Sequence, residues 1–559
     1  MKSFNKRRIL IILCVCFFQI GVNGQWVDDP YQNTVICDNH IRFQLQKIQI
    51  TSQGNYLISY LRGNPNNSTI LQLLDPNGYS LWQNNGITVN SNLGSYAPDY
   101  DFIIDPDDNA IIATSDIRYG DPIPVIYKID QHGNFLWGDN GIELLTPKKG
   151  SIVSRLCLST NNYLYYLFSS YYATWFETES NLYLHKISPD GSLVWEGEGI
   201  LFSDSTYRYW IIDIIPQLDD GCMIVYYKNV GDYNYTIRNI YITRINPDGT
   251  KAWGSDLAVC TGIRSWVDVK SYSKDDGGVF LTWHDYRTTS YASSYLQYVS
   301  PEGSFGWEYP GIRISMDETG YQFDPRFGGI NSLGEIIIFW KQTDSHQNNA
   351  ALFGQKISLS EGRLWGDKGE MIIADLPNPK NTASITYKDT IFLVYNYPEF
   401  DNRTFTALHM TALDQDTNSC WDIPTVINAE RTNKGNISLT EVRNDQMVIV
   451  YEDDDYSSNR RILAQNVFTN GQKGLRSTGI IENPVSESIK IVFDYTSSIL
   501  SIKPIYEGKI IIRNQLGQIV YSDNIQFQIH LSHLPIGIYY VEIYKGNSRT
   551  YVKKMLLGN

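Results

Sequence analysis

The stretch SPEGSFGWEYPGI, which begins at Ser300, decides the fold, because the same pattern returns seven more times along the chain. It joins a polar turn centred on Gly to a Trp a few residues on, and then often to Gly-Ile. The other copies read DPNGYSLWQNNGI from Asp75, DQHGNFLWGDNGI from Asp130, SPDGSLVWEGEGI from Ser188 and NPDGTKAWGSDLA from Asn246. Three more follow: SEGRLWGDKGE from Ser360, DQDTNSCWDIP from Asp414 and TNGQKGLRSTGI from Thr469. Trp82, Trp137, Trp195, Trp253, Trp307, Trp365 and Trp421 are spaced by 55, 58, 58, 54, 58 and 56 residues, and the eighth copy puts Leu475 in the Trp slot. A second series runs in step with the first. It pairs a turn with an apolar run, as in GNYLISYL from Gly54, GGVFLTWH from Gly277 and GEIIIFWK from Gly334. A fixed period of this length signals a repeat architecture.

The apolar runs are rich in β-branched and aromatic residues and too short for most helices. Their nearly continuous apolar character suits strands buried on both faces. Turn signals divide each period into about four strands, the make-up of a propeller blade covered by its neighbours. The sequence therefore predicts an all-β protein: an eight-bladed β-propeller over residues 25–482, with seven blades plus a stray sheet as the alternative. The repeated Trp is expected to pack between blades.

Residues 1–24 read as a signal peptide, with a basic start (Lys2, Lys6, Arg7, Arg8), an apolar stretch from Ile9 to Ile20, and Val22 and Gly24 before a cleavage site. No second apolar run of spanning length follows, so no transmembrane segment is expected after cleavage. Removal of that segment takes the formal charge from −14 to −18, since it holds four basic and no acidic residues. Such a balance repels phosphate backbones, and nucleic acid is excluded as a partner. The remaining cysteines (Cys37, Cys157, Cys222, Cys260, Cys420) are odd in number and form no C-x-x-C pair, so they read as apolar fillers.

The stretch VFLTWHDYR from Val279, followed by YLQYVSPEGSFGW from Tyr295, resembles a bacterial extracellular propeller repeat family whose blades carry W-x-D-x-R, a Gln-containing strand and D-G-x-x-x-W. Trp340, Gln355 and Gln465 echo that pattern, and Asp116 and Arg118 keep its D-x-R portion. The resemblance implies export and a propeller fold, with no assigned activity.

From Asn483 the period stops. Alternating apolar residues with Gly and Asn turns predict a small antiparallel, immunoglobulin-like sandwich over residues 483–559. This segment resembles the type A C-terminal sorting domain of the type IX secretion system of Bacteroidetes. The resemblance rests on Asn483-Pro484, Gly517, Leu531-Ser532-x-Leu534, Gly537-x-Tyr539 and the pair Lys553-Lys554. It implies the type IX machinery as partner, an extracellular or outer-membrane surface location reached through the periplasm, and attachment to surface polysaccharide or release.

Chemistry is harder to read. The eight histidines form neither H-x-x-x-H nor H-E-x-x-H, so no zinc site is legible. His284, beside Asp285 and Arg287, is the most suggestive. Adjacent strand residues point to opposite faces, however, so the Asp–Arg pair reads as structural. The Ser188 copy places Ser, Asp and Trp as a sialidase Asp box does, but lacks its Gly position and Thr. No cofactor is expected; calcium is the one ion that the acidic turns (Asp105, Asp107, Asp108 and Glu452 to Asp455) would suit. The leading expectation is a surface binding module for glycan or protein, with an extracellular polysaccharide hydrolase or lyase as alternative. Catalytic residues are not identifiable from spacing among 60 acidic residues. Clustering of unrepeated aromatics and acids on one propeller face would favour binding.

Overall fold

A computed structural model of the chain describes residues 26–557, except 39–42, 64–66, 94–98, 145–150, 174–177, 205, 231–236, 264–267, 288–289, 348, 375, 377–381, 399–404, 456–459, 476–489, 495–498, 504–507, 515–517, 525, 527, 532–533, 536 and 546–547. The signal-peptide residues and the sorting-motif residues Asn483, Pro484 and Gly517 lie outside the described residues. Every regular element described is a strand. The chain divides into two compact units, the first ending at Leu475.

The first unit repeats one four-stranded antiparallel sheet. In blade 1 the strands are Phe43–Ile50, Tyr56–Arg62, Ser68–Leu74 and Ile87–Asn90, here called a to d from the channel outward. Blades 2 to 6 follow over residues 101–143, 151–202, 208–263, 270–313 and 321–373. The remaining seven-stranded sheet divides within its 15-residue strand Thr425–Leu439. Residues up to Thr432 pair with Thr406–Leu413 and finish blade 7, while those from Asn433 pair with Gln446–Asp454 and open blade 8. Eight apolar clusters fill the eight junctions between successive blades, including one that joins blade 8 to blade 1 through Val448, Ile462, Tyr56 and Ile58. The b strands are buried along nearly their whole length, which is why their first halves are almost continuously apolar.

Blade 8 is completed from the other end of the chain. Its d strand is Thr34–Cys37, paired antiparallel with Arg460–Phe468. Just before it, Trp26 is 2% exposed, and its indole N–H donates to Pro76 O at 2.9 Å in blade 1. Trp26 is therefore the eighth indole of the series, and Leu475, expected in that slot, is 43% exposed. The reason is topological: in this ring the c–d segment of the last blade is split between the two ends of the propeller, so its Trp lies before the first repeat. Four of the other indoles make the equivalent bond to the blade that follows their own. Trp82 donates to Gln131 O (2.9 Å), Trp253 to Pro301 O (3.1 Å), Trp365 to Gln415 O (2.9 Å) and Trp421 to Thr469 O (3.1 Å). Each lies on the Gly turn of the following blade. A Cβ on Gly78 or Gly191 would come within 2.9 Å of Trp26 or Trp137, and both residues have φ near +90°, so only Gly serves there.

The a–b turns fasten the same face. Asp108, left-handed at φ 64°, accepts from the Ser52 backbone N–H (2.5 Å) and hydroxyl (2.6 Å) of blade 1. Asp220 takes the Asn161 N–H and the Thr160 hydroxyl, and Asp389 takes both donors of Ser332, across two further junctions. Asp108→Ala is expected to lower unfolding free energy by about 1.5–3 kcal/mol, as for hydrogen bonds to a charged group, and Ser52→Ala by about 1 kcal/mol. Urea titration of both variants checks this.

The second unit packs a three-stranded sheet (Lys490–Asp494, Ile499–Lys503, Gln528–His530) on a four-stranded one that includes Lys509–Asn514 and Gly537–Lys545. Leu500 and Ile529 meet Ile510, Ile512, Val541 and Ile543 in its core. Tyr539 is buried there, its hydroxyl donating to Pro535 O at 2.7 Å. Gly537 opens the strand Gly537–Lys545, and Lys553 and Lys554 lie in the last strand, Ser548–Leu557.

Candidate functional site

Strand directions give the propeller two unlike ends. The a–b and c–d turns, short and repeated, form one end. The b–c loops and d–a crossings, which differ from blade to blade, form the other.

On this loop end the W-x-D-x-R residues of blade 5 meet the inner strand of blade 6, Tyr321–Ile330. That strand is irregular: register shifts fall between Phe323 and Arg326 and between Phe327 and Gly329, and Asp324 has φ 51°. Bulges of this kind re-aim side chains at a sheet edge. The result is a continuous run of rings. Tyr291 meets Tyr321 edge-on at 4.9 Å, and Tyr321 stacks on Phe323 at 5.3 Å. Phe323 meets the His284 ring at 5.4 Å, and Tyr286, 42% exposed, reaches Tyr321 at 6.4 Å. Gln322, fully buried, holds the two blades in place: its carbonyl accepts from Ser294 N–H (3.0 Å) and its amide donates to Asp317 O (2.8 Å).

His284 turns to Phe323, whereas the Asp285 carboxylate takes the Tyr286 N–H (2.7 Å) and the Arg287 guanidinium. Arg287 also donates to Thr261 O of blade 4 at 3.0 Å. In blade 2, Arg118 pairs with Asp116 and Glu143, each at 2.7 Å, and donates to Asn140 O at 3.1 Å. The Asp–Arg pairs thus tie the b–c loop to outer strands.

Along the channel the inner strands carry an alternating girdle. Lys47, Asp101, Arg155 and Asp213 sit at matching positions in blades 1 to 4, opposite Ser59, Ala113, Leu167 and Val225. Lys47 pairs with Asp101 (2.5 Å), and Arg155 pairs with Asp99 (3.1 Å). Asp101 accepts from Leu156 N–H (2.8 Å), and Asp213 from Ser271 of blade 5. Burial pushes the Asp213 carboxyl above its ordinary range, against the pull of Ser271 and Arg155. Each link crosses a blade junction, so the girdle aligns neighbouring blades.

The acidic turns are likewise engaged. Asp105 caps its own turn through Asp107 N–H (3.0 Å) and Asn109 N–H (2.8 Å) and pairs with Lys128 (2.9 Å). Glu452 binds Asn436 (2.8 Å), Asp453 binds Arg461 and Thr432, and Asp454 pairs with Arg460 (2.8 Å). Among the described residues, no three His, Cys, Asp or Glu side chains stand where they could hold one metal ion. The five cysteines are free thiols, and only Cys420 is exposed.

Sequence reasoning singled out His284 but missed Tyr286, Tyr291, Tyr321, Phe323 and Gln322. The available signal was YQFDPRFGGI from Tyr321, where Pro and paired Gly break an otherwise regular inner strand.

Fold and chain end together define an exported β-propeller protein with a C-terminal sorting domain. Residues 481–557 match the family of secretion system C-terminal sorting domains, which places the protein on the type IX route to the cell surface or the extracellular space. No curated protein matches the chain. Several solved structures share partial similarity with it. A protein of unknown function from Dyadobacter fermentans is similar at 9% identity (TM-score 0.37, 79% of this chain and 98% of that one). Another is a family 25 polysaccharide lyase, an ulvan lyase (9%, 0.41, 81% and 98%). A third is the β-propeller domain of the Trilobed protease from Pyrococcus furiosus (9%, 0.34, 78% and 100%). Among the described residues no helix is long and apolar enough to cross a membrane.

Proposed function

We propose that the protein is a surface-displayed or secreted binding module of a Bacteroidetes cell, delivered after removal of residues 1–24, whose loop end recognises glycan or protein. The observation that carries this reading is the run Tyr286, Tyr291, Tyr321 and Phe323, which joins blades 5 and 6 at the variable end. Partly exposed aromatic rings offer flat apolar faces to the C–H side of a sugar and to protein interfaces, with hydroxyls at their edges for hydrogen bonds. Two inner-strand acids support the same reading over a polysaccharide hydrolase or lyase, since Asp101 and Asp213 already serve the blade junctions. A glycan array probed with the full-length exported protein tests it. Binding to a defined glycan class is expected, with at least a tenfold loss in Tyr286→Ala/Tyr321→Ala, because two stacking contacts contribute about 0.5–1.5 kcal/mol each beyond area burial. Turnover of a polysaccharide panel, or binding indifferent to both substitutions, contradicts it.

A further inference from the structure

The turn end of the propeller contains a repeated cation slot. Two residues before the c–d turns of blades 2, 3, 4 and 6, a basic side chain runs into the groove between its own blade and the next, while Leu73, Tyr298 and Asn466 fill that position in blades 1, 5 and 8. Lys128 pairs with Asp105 (2.9 Å), reaches Pro189 O (3.4 Å) and lies 5.6 Å from the centre of the Trp137 ring. Lys186 donates to Pro247 O (2.9 Å) over the Tyr163 ring (4.7 Å). Arg244 donates to Pro301 O (2.8 Å) and pairs with Asp219 (2.7 Å), and Lys356 donates to Gln415 O (3.1 Å). The receiving carbonyl belongs to the next blade's c–d turn; at Pro301 and Gln415 it also accepts the indole N–H of Trp253 or Trp365. A carbonyl, an aromatic ring and in several blades an acid thus define the slot, and a positive nitrogen fills it.

In blade 7 the same position is Ala412, a buried methyl. The rest of the slot remains: Trp421 donates to Thr469 O at 3.1 Å, with Phe392 against its ring at 5.9 Å. The turns on both sides are also shortened to two residues, with Tyr387 paired to Thr390 and Arg443 to Gln446. The groove there is open, takes in about 430 Å³, and is lined by Tyr387, Lys388, Thr390, Trp421, Asp445 and Thr469. The equivalent groove between blades 2 and 3, which Lys128 and Trp137 line, encloses about 40 Å³. Lys388 stays at the rim, over the Tyr387 ring at 4.9 Å.

We infer that the groove between blades 7 and 8 is a vacated copy of this slot and binds a primary ammonium group supplied from outside the chain. Its indole and Thr469 carbonyl correspond to those that receive Lys128, Lys186, Arg244 and Lys356, and the Asp445 carboxylate stands at the opening. Both a lysine side chain and an amino sugar carry that group. The site lies at the opposite end from the Tyr286–Tyr321 run and stands independently of it.

Calorimetric titration of the full-length protein with Nα-acetyl-lysine-methylamide and with glucosamine, each beside its uncharged counterpart (the norleucine amide, glucose), tests the inference. At least one amine is expected to bind tenfold or more tightly than its neutral partner, and which one binds identifies the source. Ala412→Lys, which restores the built-in plug, should weaken that binding at least tenfold with an unchanged or higher thermal midpoint. Should lysine pack poorly there, Asp445→Asn on the exposed turn should weaken it several-fold. Equal affinity for amine and neutral partner, or amine binding untouched by Ala412→Lys in a folded protein and by Asp445→Asn, overturns the inference. Tyr286→Ala/Tyr321→Ala should leave the amine titration unchanged.

Discussion

Trp26→Ala is expected to lower the unfolding free energy by about 3–5 kcal/mol, the range for deleting a buried Trp or Phe, whereas Leu475→Ala should change it by less than about 0.5 kcal/mol. The two residues compete on sequence for the same role. Trp26 is buried, donates to Pro76 O and covers Gly78, while Leu475 is largely solvated. The neighbouring backbone also depends on the N-terminal segment. Gln465 of blade 8 donates to Val27 O (2.9 Å), Asn33 donates to Gln465 (2.9 Å) and to Ile427 O (3.0 Å), and Ala429 N–H donates to Pro30 O (3.0 Å). Removing the indole therefore loosens both blade 8 and its junction with blade 1. Trp253→Ala should cost about half as much, since that indole is only half-buried. Denaturant titration of the three variants separates the roles; equal losses at Trp26 and Leu475 contradict the closure.

His185→Gln is expected to remove an acid sensitivity of about 3 kcal/mol. His185 stands ten residues before Trp195, the position that Gln72, Gln297, Gln355 and Gln465 hold in blades 1, 5, 6 and 8. Those glutamines clamp the chain at the next strand: Gln297 donates to Trp307 O (2.9 Å) and accepts from Trp307 N–H (3.1 Å), and Gln355 accepts from Trp365 N–H (2.8 Å). His185 instead is fully buried, stacked on Phe168 at 5.9 Å, and among the described residues neither ring nitrogen meets a hydrogen-bond partner. Burial lowers its pKa from 6.5 to about 4. The unfolded chain therefore takes up this proton first as pH falls. The stabilising contribution is complete above pH 6.5 and is lost progressively down to about pH 4, at 1.36 kcal/mol per unit. Urea titrations at pH 7.5, 5.5 and 4.5 should show His185→Gln pulling ahead of the parent protein by about 3 kcal/mol across that range. Parallel pH profiles contradict the assignment.

The period, the glycine turns and the buried b strands were legible because each blade solves the same packing problem with nearly the same residues. The eighth indole was hidden because Trp26 precedes the first repeat by a whole blade, next to residues read as a targeting segment. The ring run at the loop end joins residues 286 and 291 to 321 and 323, a contact across a blade junction that no periodicity announces. The cation slot, by contrast, was readable: Lys128, Lys186, Arg244 and Lys356 fall in register once the turns are aligned, and Ala412 is the smallest residue at that position. What each basic residue does depends on the neighbouring blade, and so needed the structure.

Hydrogen exchange at the amides of the strand Thr34–Cys37 tests the eight-bladed ring most directly. Closure by the N-terminal segment predicts that these amides, where they pair with Arg460–Phe468, are protected to the same degree as that strand and lose protection together with it in Trp26→Ala. Exchange at the rate of an unstructured peptide in the unaltered protein, with Arg460–Phe468 still protected, contradicts it.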